Sequence, residues 1–316
     1  QFMFSLSVFF AYISQNIFSS EYLQVHWREI LCWPAIVAAL KLFLLLLSVR
    51  TEPAKYYITR HSDSPSRDKE LGRILSQFND PRMVDFEIQQ CVHAFEKERA
   101  VRTGPVWNIL TTHIIRKRLL AGILIGVSQQ FAGVPFFSLY STDIFNKING
   151  KGKQATLFVA IAKVTGAFIT LAAVKFIGRK VSFYVGISGQ ILGLFAIIVS
   201  IDDNIEVLAY IGICSFMSCF SIGIGGSSFI FLNEILPPIG VSVSTGLSWL
   251  VNSVVAKLLP ILTEEFGAEP ILIVLLIFNV ILLILVDILV LETRGKPESQ
   301  IIREYSTRKY RPFDFN

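Results

Sequence analysis

Two adjacent amides, Gln129 and Gln130, lie in the middle of a long apolar stretch from Leu119 to Phe145. Placing two amides at membrane depth costs free energy unless they find polar partners or water. Gly133 and Pro135 follow at once, and a broken helix is tolerated in a membrane only where its freed backbone is buried or lines a cavity. The stretch predicts a half-broken transmembrane helix that lines a polar site. The alternative is that the amides only join neighbouring helices by hydrogen bonds.

The composition indicates a membrane protein without a cofactor. The chain has 316 residues, of which 53% are hydrophobic, and its apolar residues come in long blocks that exclude a simple globular core. The four cysteines have no metal-ligand spacing, and neither a nucleotide-binding loop nor a His/Asp/Glu metal cluster is present in the sequence. These features argue against an ATP-driven pump or a membrane enzyme, and they predict no cofactor, no metal and no nucleic-acid partner.

Eight apolar blocks are candidates for membrane spans, since roughly 20 helical residues cross a bilayer core. The predicted spans are Phe2–Ser20, Leu31–Val49, Leu119–Phe145, Ala155–Ile177, Ser182–Ile201, Ile205–Leu232, Val241–Thr263 and Pro270–Leu291. The polar segment between the second and third spans carries helix signals, including an amphipathic pattern over Arg67–Gln77 and a second helix with Pro81 in its first turn. Intrinsic disorder is the alternative for this segment.

Lysine and arginine concentrate in three connections. They occur in residues 50–118, in the turn Gly178-Arg179-Lys180 and in the tail that starts at Arg294. Because cytoplasmic loops carry an excess of these residues, the long loop and the C-terminus are predicted to be cytoplasmic. The predicted organisation is residues 1–49 with two helices, 50–118 as a cytoplasmic loop with amphipathic helices, 119–291 as a six-helix bundle and 292–316 as a cytoplasmic tail.

The six spans after the loop form two groups of three with a shared feature. The first helix of each group is interrupted, by Gly133-Val134-Pro135 in one and by Gly223-Ile224-Gly225-Gly226 in the other. Interrupted helices at matching positions of two repeats indicate the substrate site of a secondary transporter. The alternative is that the glycines serve only close helix packing.

Five short motifs occur in a fixed order along the chain. They are Gln-Gln-Phe-Ala-Gly at 129–133 with Tyr-Ser-Thr-Asp-Ile-Phe at 140–145, Gly-Arg-Lys at 178–180, Asn-Glu-Ile-Leu-Pro at 233–237, Ser-Trp-Leu-Val-Asn at 248–252, and Glu-Thr-Arg-Gly-Lys at 292–296. In these motifs the chain resembles the sugar porter family of the major facilitator superfamily, and most closely its insect trehalose transporters. The resemblance covers spans five to twelve of a twelve-span protein. It implies an all-α polytopic membrane protein with a complete C-terminal six-helix bundle and two helices of an incomplete N-terminal bundle.

The resemblance implies facilitative transport of a sugar, trehalose or a hexose, by alternating access in the plasma membrane. Amides suit sugar hydroxyls because both kinds of group donate and accept hydrogen bonds. The candidate substrate-binding residues are Gln129, Gln130 and Asn252 as hydrogen-bonding groups, Trp249 and Phe229 as surfaces for the pyranose ring, and Tyr140 on the outer side. Helix-to-helix hydrogen bonding and ordinary packing are the alternatives for these side chains.

A second set of candidate residues lies near the predicted cytoplasmic face. The resemblance implies that Arg179, Lys180, Glu234 and Glu292 form an ion-pair latch, and the alternative is that they only fix the topology. Asp287, the carboxylate within the last apolar block, is interpreted as a lone acid that could relay protons. Facilitated diffusion is preferred to proton coupling because this acid lies far along the chain from the amides.

Three positions depart from the family pattern. Asparagines of the seventh and eighth family helices correspond to Pro135 and Lys163, and an acidic residue of the tenth corresponds to Ser221. These departures favour a second hypothesis, a transport-deficient relative that acts as a sensor or regulator. A truncated, non-functional transporter fragment is a further alternative.

Overall fold

All regular structure is helical in the part of the chain that the computed structural model describes. The described residues are 5–10, 13, 27–48, 67–76, 84–86, 88–89, 92, 113–138, 142, 152–173, 176–203 and 205–307. The chain divides into two compact units: one comprises Glu21–Ile109, and the other comprises Gln1–Ser20 with Leu110–Asn316.

The smaller unit contains two helices with described bounds, α1 (Trp27–Ser48) and α2 (Arg67–Leu75). In α2, Leu71 is fully buried, and Gly72 faces the side chains of Val84 and Ile88 in the following helical stretch. Helix α2 thus covers residues 67–75 of the 67–77 over which the sequence predicts an amphipathic helix.

The larger unit contains the remaining helices. They are α3 (His113–Phe131), α4 (Gly152–Ala173), α5 (Arg179–Asp203), α6 (Glu206–Phe220), α7 (Gly226–Ile235), α8 (Pro238–Phe266), α9 (Ala268–Leu289) and α10 (Glu298–Thr307). Among the described residues, five helical stretches are long and apolar enough to cross a membrane: Ile115–Ser138, Arg179–Ile201, Glu206–Ile235, Pro238–Phe266 and Ala268–Leu289. Two shorter apolar helices cover Ala35–Leu47 and Thr156–Leu171. The predicted span at residues 2–20 lies mostly outside the described residues.

Both predicted helix interruptions are confirmed. After α3 the chain turns at Gly133, whose φ of 107° is a left-handed conformation that favours glycine, and helical structure resumes at residues 134–138. Between α6 and α7 lies a π-helical segment, Ser221–Gly225, in which Gly223 has non-helical torsions (φ −85°, ψ −106°). The hydroxyl of Thr170 donates to the Ser221 carbonyl at 2.9 Å. A neighbouring helix thus satisfies backbone that the irregularity frees from regular helical bonding.

The start of α3 differs from the prediction. This helix begins at His113, six residues before the predicted start at Leu119, and so includes the basic cluster at 116–118. Arg118 is 5% exposed, and its Nε donates to the carbonyl oxygen of Ile235 at the end of α7. This bond places a cation at a helix C-terminus, where the helix dipole favours positive charge. The hydropathy of the sequence gives no indication of this hydrogen bond.

Helix α5 packs very closely against the π-helical segment. A Cβ atom added at Gly186 would lie 2.5 Å from the Cα of Gly223 and 2.9 Å from the carbonyl oxygen of Cys219. Both neighbours are backbone atoms, so they can make room only if a helix moves. Small residues at such crossings allow backbones to approach, which is how membrane helices gain packing energy.

We expect Gly186→Ala to lower the free energy of unfolding by about 1–3 kcal/mol, the usual range for overpacking a tight site. Gly246→Ala in α8 is the matched control, because a Cβ atom there would meet nothing within 4 Å. Reversible unfolding in mixed detergent micelles measures both variants. Equal stability of the two variants would contradict the close packing of α5.

Candidate functional site

A cavity of ≈ 560 Å³ lies between α3, α4, α8 and the interrupted α6–α7 helix. Its lining residues are Gly126, Gln129, Gln130, Val134, Pro135, Ser138, Lys163, Phe220, Phe229, Leu232, Thr245, Ser248, Trp249, Asn252 and Ala256. The lining combines amides and hydroxyls with three aromatic side chains. Such a mixture of apolar surface and a few polar groups is typical of sites for small organic ligands.

The structure brings together five of the six predicted substrate-binding residues. Gln129 and Gln130 come from α3, Phe229 from α7, and Trp249 and Asn252 from α8, and all five line the cavity. The sixth, the predicted tyrosine at position 140, lies outside the described residues.

Gln130 also joins two helices. Its Nε2 donates to the hydroxyl of Ser248 at 3.2 Å, and that hydroxyl donates to the carbonyl oxygen of Gly126 at 2.6 Å. Helices α8 and α3 can approach this closely because Gly126 has no side chain. A Cβ atom there would lie 3.1 Å from the Ser244 carbonyl oxygen. Gln130 therefore takes part in the helix-to-helix bonding that the sequence left as an alternative, while it also faces the cavity.

One face of α8 supplies the largest share of the lining. The lining positions on this helix are 245, 248, 249, 252 and 256, which follow helical spacing. Trp249 is 59% exposed, so much of its ring is available to a ligand. The hydroxyls of Thr245 and Ser248 were not predicted as site residues. Helical periodicity around Trp249 and Asn252 could have identified both.

Two of the positions that depart from the family pattern also line the cavity. Pro135 lies just beyond the Gly133 turn, and Lys163 projects from the middle of α4 with only 6% of its surface exposed. Ser221 is fully buried at the start of the π-helical segment and is not among the lining residues that the structure describes.

The four predicted latch residues lie together at the start of α5, and we call them the latch cluster. Arg179 Nη2 donates to Glu234 Oε1 at 2.6 Å, and the Thr293 hydroxyl donates to the other carboxylate oxygen, Oε2, at 2.6 Å. The predicted ion pair between α5 and the end of α7 is present. It is partly exposed, with side-chain exposures of 17% for Arg179 and 27% for Glu234.

Glu292 acts differently from the prediction. It accepts no bond from a basic side chain among the contacts described. Its Oε1 accepts the backbone N–H of Arg179 at 2.8 Å and those of Thr293 and Arg294 at 3.0 Å, and its Oε2 accepts that of Lys180 at 3.0 Å. The first N–H groups of a helix have no partner within the helix, and the dipole there favours negative charge. Glu292 therefore caps α5 from a distant part of the chain.

The turn before α5 is shaped to admit this carboxylate. A Cβ atom at Gly178 would collide with the carboxylate oxygens of Glu292, so a larger residue would displace the cap. On the other side of the turn, Arg294 Nη1 donates to the carbonyl oxygen of Phe176. The segment after α9 thus binds the turn at two points.

Lys180 pairs with Asp287 rather than with the two glutamates of the latch cluster. Its Nζ lies 3.1 Å from Asp287 Oδ1 and 3.1 Å from the carbonyl oxygen of the same residue. The hydroxyl of Tyr184 donates to Asp287 Oδ1, and the Lys180 ammonium lies 5.6 Å from the centre of the Tyr184 ring. Asp287, the carboxylate within the last apolar block, is therefore paired with a cation in the fold. The sequence could not show the pair because its partners are 107 residues apart.

The helices and cavity define a class of protein: a polytopic membrane protein whose helices surround an internal polar site. A family model described as "Sugar (and other) transporter" matches residues 1–305. The chain belongs to this family, and its fold is a partial major facilitator bundle.

Individual relatives agree with this assignment. The chain is 23% identical over 296 residues to a chicken (Gallus gallus) protein named "Solute carrier family 2, facilitated glucose transporter member 2", a match that covers 90% of this chain and 54% of that protein. It is 22% identical over 287 residues to the "Arabinose-proton symporter" of Bacillus subtilis, with coverage of 87% and 59%. These relatives are transporters, not enzymes.

A solved structure has the same fold. The proton:xylose symporter XylE bound to 6-bromo-6-deoxy-D-glucose superposes with a TM-score of 0.76 at 18% identity, covering 95% of this chain and 66% of that one. The chain thus spans between about half and two thirds of the length of the relatives it matches. The resemblance to the sugar porter family is confirmed at the level of the family.

Proposed function

We propose that the chain carries out facilitative transport of a sugar, trehalose or a hexose, by alternating access. The observation that carries the proposal is the cavity, in which amides from α3 and α8 lie with an exposed tryptophan. Sugars present several hydroxyls around a ring with apolar faces. Amides match the hydroxyls and an aromatic ring matches the faces. The proposal includes the particular similarity of this chain to insect trehalose transporters.

The roles of the cavity residues follow from their chemistry. Gln129 and Asn252 hydrogen-bond the sugar hydroxyls, and Gln130 does so while it holds α3 against α8. Trp249 and Phe229, which is 44% exposed, form the apolar surface for the pyranose ring. The predicted tyrosine at position 140 closes the outer side of the site in this proposal.

The latch cluster holds the inner gate closed. We place residues 50–118 and the C-terminus in the cytoplasm, so that α5 and the ends of α7 and α9 meet at the cytoplasmic face of the plasma membrane. Alternating access needs two states of similar free energy. Partly exposed ion pairs such as that between Arg179 and Glu234 contribute about 0–1 kcal/mol each, a strength that can be overcome in each cycle.

Facilitated diffusion is favoured over proton coupling. The membrane-embedded acid of α9, Asp287, is held in an ion pair with Lys180 and accepts the Tyr184 hydroxyl. This pair belongs to the same end of α5 as the latch cluster, and Asp287 is not among the described residues that line the cavity. A structural role for the acid explains these contacts without proton transfer.

Sugar uptake and binding by the full chain in proteoliposomes test the proposal. We expect saturable binding of glucose or trehalose, and a loss of affinity of about 3- to 10-fold in Gln129→Ala, because one hydrogen bond to a sugar hydroxyl is removed. Gln300→Ala is the matched control, since this amide lies on α10, outside the cavity, where it donates to Glu304. Equal affinities in the two variants would contradict the proposed site.

A transport-deficient sensor or regulator is the second candidate. It is favoured by the positions of Pro135 and Lys163, which line the cavity where the family pattern has asparagines. Saturable binding without net flux would support this candidate, whereas flux of the same sugar would exclude it. Absence of both binding and flux would contradict the two candidates together.

A further inference from the structure

A side chain of α9 holds the backbone at the break that follows α3. Asn279 lies in the middle of α9 and is fully buried. Its Nδ2 donates to the carbonyl oxygen of Ala132 at 3.2 Å and to that of Leu275, in its own helix, at 2.8 Å. Ala132 lies between the end of α3 and Gly133, where backbone carbonyls lose their partners within the helix. Asn279 thus supplies a donor to backbone that the break leaves without regular helical bonding.

The two accepting groups fix the orientation of this amide. Both are carbonyl oxygens, so the nitrogen of the amide, and not its oxygen, must face them. The bond to Leu275 ties the side chain to its own helix and directs the second N–H at Ala132. The Oδ1 of Asn279 is buried and has no hydrogen-bond partner among the residues that the structure describes. A buried, unpaired carbonyl costs free energy, which the fold accepts at a position where the amide bonds to another helix.

Apolar side chains of α9 pack against the same break. A Cβ atom at Gly133 would lie 3.1 Å from Leu275 Cδ1, and the ring centroids of Phe131 and Phe278 are 5.1 Å apart. Residues three and four apart lie on one side of a helix, so positions 275, 278 and 279 form a single face of α9. This face contacts the chain at each residue from 131 to 133.

The break divides one wall of the cavity into two parts. The amides of Gln129 and Gln130 precede it, and residues 134, 135 and 138 follow it, and all five positions line the cavity. Asn279 itself is not among the lining residues that the structure describes. The placement of the two parts relative to each other depends on the backbone at 132 and 133. A shift there would move the amides away from the positions in which they meet a ligand.

We infer, on the basis of the proposed sugar-binding function, that Asn279 is a positioning residue for the substrate. Its bond to Ala132 keeps the two amides and the helical segment after the break in the arrangement that binds the sugar. It acts through the backbone of α3 and does not touch the substrate. Without this bond the break has further arrangements available, so a smaller fraction of the molecules is ready to bind. The apparent affinity falls in proportion to that fraction.

Calorimetric titration of the full chain in lipid nanodiscs, with glucose and trehalose as the probes, tests the inference. Asn279→Leu removes the amide and keeps the apolar volume. We expect it to weaken binding of the sugar that the parent binds by about 3- to 10-fold, the factor that corresponds to one neutral hydrogen bond. The number of binding sites per chain should stay unchanged. A purely structural role predicts the opposite result, with fewer sites and an unchanged affinity at those that remain.

Asn279→Ser separates the bond to Ala132 from the polarity of the side chain. A serine has one donor, and within a helix it bonds to the carbonyl four residues earlier, here that of Leu275. Ala132 then loses its donor although a polar group is still present. This variant should lose as much affinity as Asn279→Leu. An affinity equal to that of the parent would show that the bond to Ala132 does not position the site.

Gln190→Leu is the matched control. Gln190 is a fully buried amide in α5, its Nε2 donates to the carbonyl oxygen of Gly186 in the same helix at 3.3 Å, and its Oε1 also has no partner among the described residues. It differs from Asn279 in having no hydrogen bond to another helix in the described part of the chain. We expect Gln190→Leu to leave the affinity for the sugar unchanged.

The outcomes separate the inference from the proposed function. If Gln190→Leu weakens binding as much as Asn279→Leu does, the effect is that of removing any buried amide, and the inference is wrong. If Asn279→Leu binds the sugar with the affinity of the parent, the inference is also wrong, but the proposed sugar-binding function stands. If the parent binds neither sugar, both fail.

Discussion

Replacing Glu292 with alanine is expected to lower the free energy of unfolding by about 3 kcal/mol and to open the end of the protein where the latch cluster lies. The carboxylate accepts four backbone N–H groups, two at the start of α5 and two in the segment after α9. Hydrogen bonds to a charged group contribute about 1.5–3 kcal/mol each and do not add fully when they share one acceptor.

The expected effect on the proposed gate follows from the hydrogen bonds that the Glu292 carboxylate makes. Without the Glu292 carboxylate, the segment after α9 keeps the hydrogen bonds from Thr293 to Glu234 and from Arg294 to the Phe176 carbonyl. It loses its hydrogen bonds to the start of α5. The N–H groups of Arg179 and Lys180 then need water as their partner, and opening of the cluster gives water access to them. The open state is therefore stabilised relative to the closed one.

Two measurements check this expectation. Reversible unfolding in mixed micelles gives the change in stability. The labelling rate of a cysteine introduced by Ser182→Cys, at a position that is 3% exposed in the first turn of α5, reports opening. Glu304→Ala is the control, because its pair with Lys296 at 2.7 Å is more exposed and is expected to contribute about 0–1 kcal/mol. Equal stabilities and labelling rates in the two variants would show that the cap does not hold the closed state.

Hydropathy and helix signals predicted most of the helical framework. The described helices α5 to α9 agree with the predicted spans to within about three residues, and the interruptions at Gly133 and Gly223 occur where glycine and proline indicated them. These features are local, because the length of an apolar block and the presence of glycine or proline can both be recognised from consecutive residues. The organisation of the chain into loop, bundle and tail stays a prediction.

The site was predictable to the extent that its chemistry is unusual for a membrane segment. Amides such as Gln129 and Asn252 are conspicuous in apolar helices, and the structure places both in one cavity. The pairing of charges was not predictable, because Lys180 has three acids within reach of α5 and sequence separation does not rank them. Burial determines which acid pairs with Lys180: Asp287 has a side-chain exposure of 5%, and a carboxylate buried to this extent needs a cation.

The second prediction with a large expected effect concerns the ion pair between Lys180 and Asp287. We expect Asp287→Ala to lower the free energy of unfolding by about 3–5 kcal/mol, because it leaves the Lys180 ammonium, 14% exposed, without the carboxylate that compensates its charge. It also removes the acceptor of the Tyr184 hydroxyl. The loss should exceed that of Glu292→Ala, since the glutamate is nearer to water and its donors can be solvated.

A combined replacement separates the cost of an uncompensated charge from the loss of packing. Lys180→Met, Tyr184→Phe and Asp287→Leu together remove both charges and the hydroxyl while keeping apolar volume. Replacing a buried ion pair by apolar residues of similar size is often neutral or stabilising. The triple variant should therefore recover most of the stability that Asp287→Ala loses, measured by the same unfolding titration. If it is as unstable as the single variant, the pair contributes favourable energy of its own. The contact between α5 and α9 would then be held by electrostatics rather than by the need to neutralise two charges that the fold has buried.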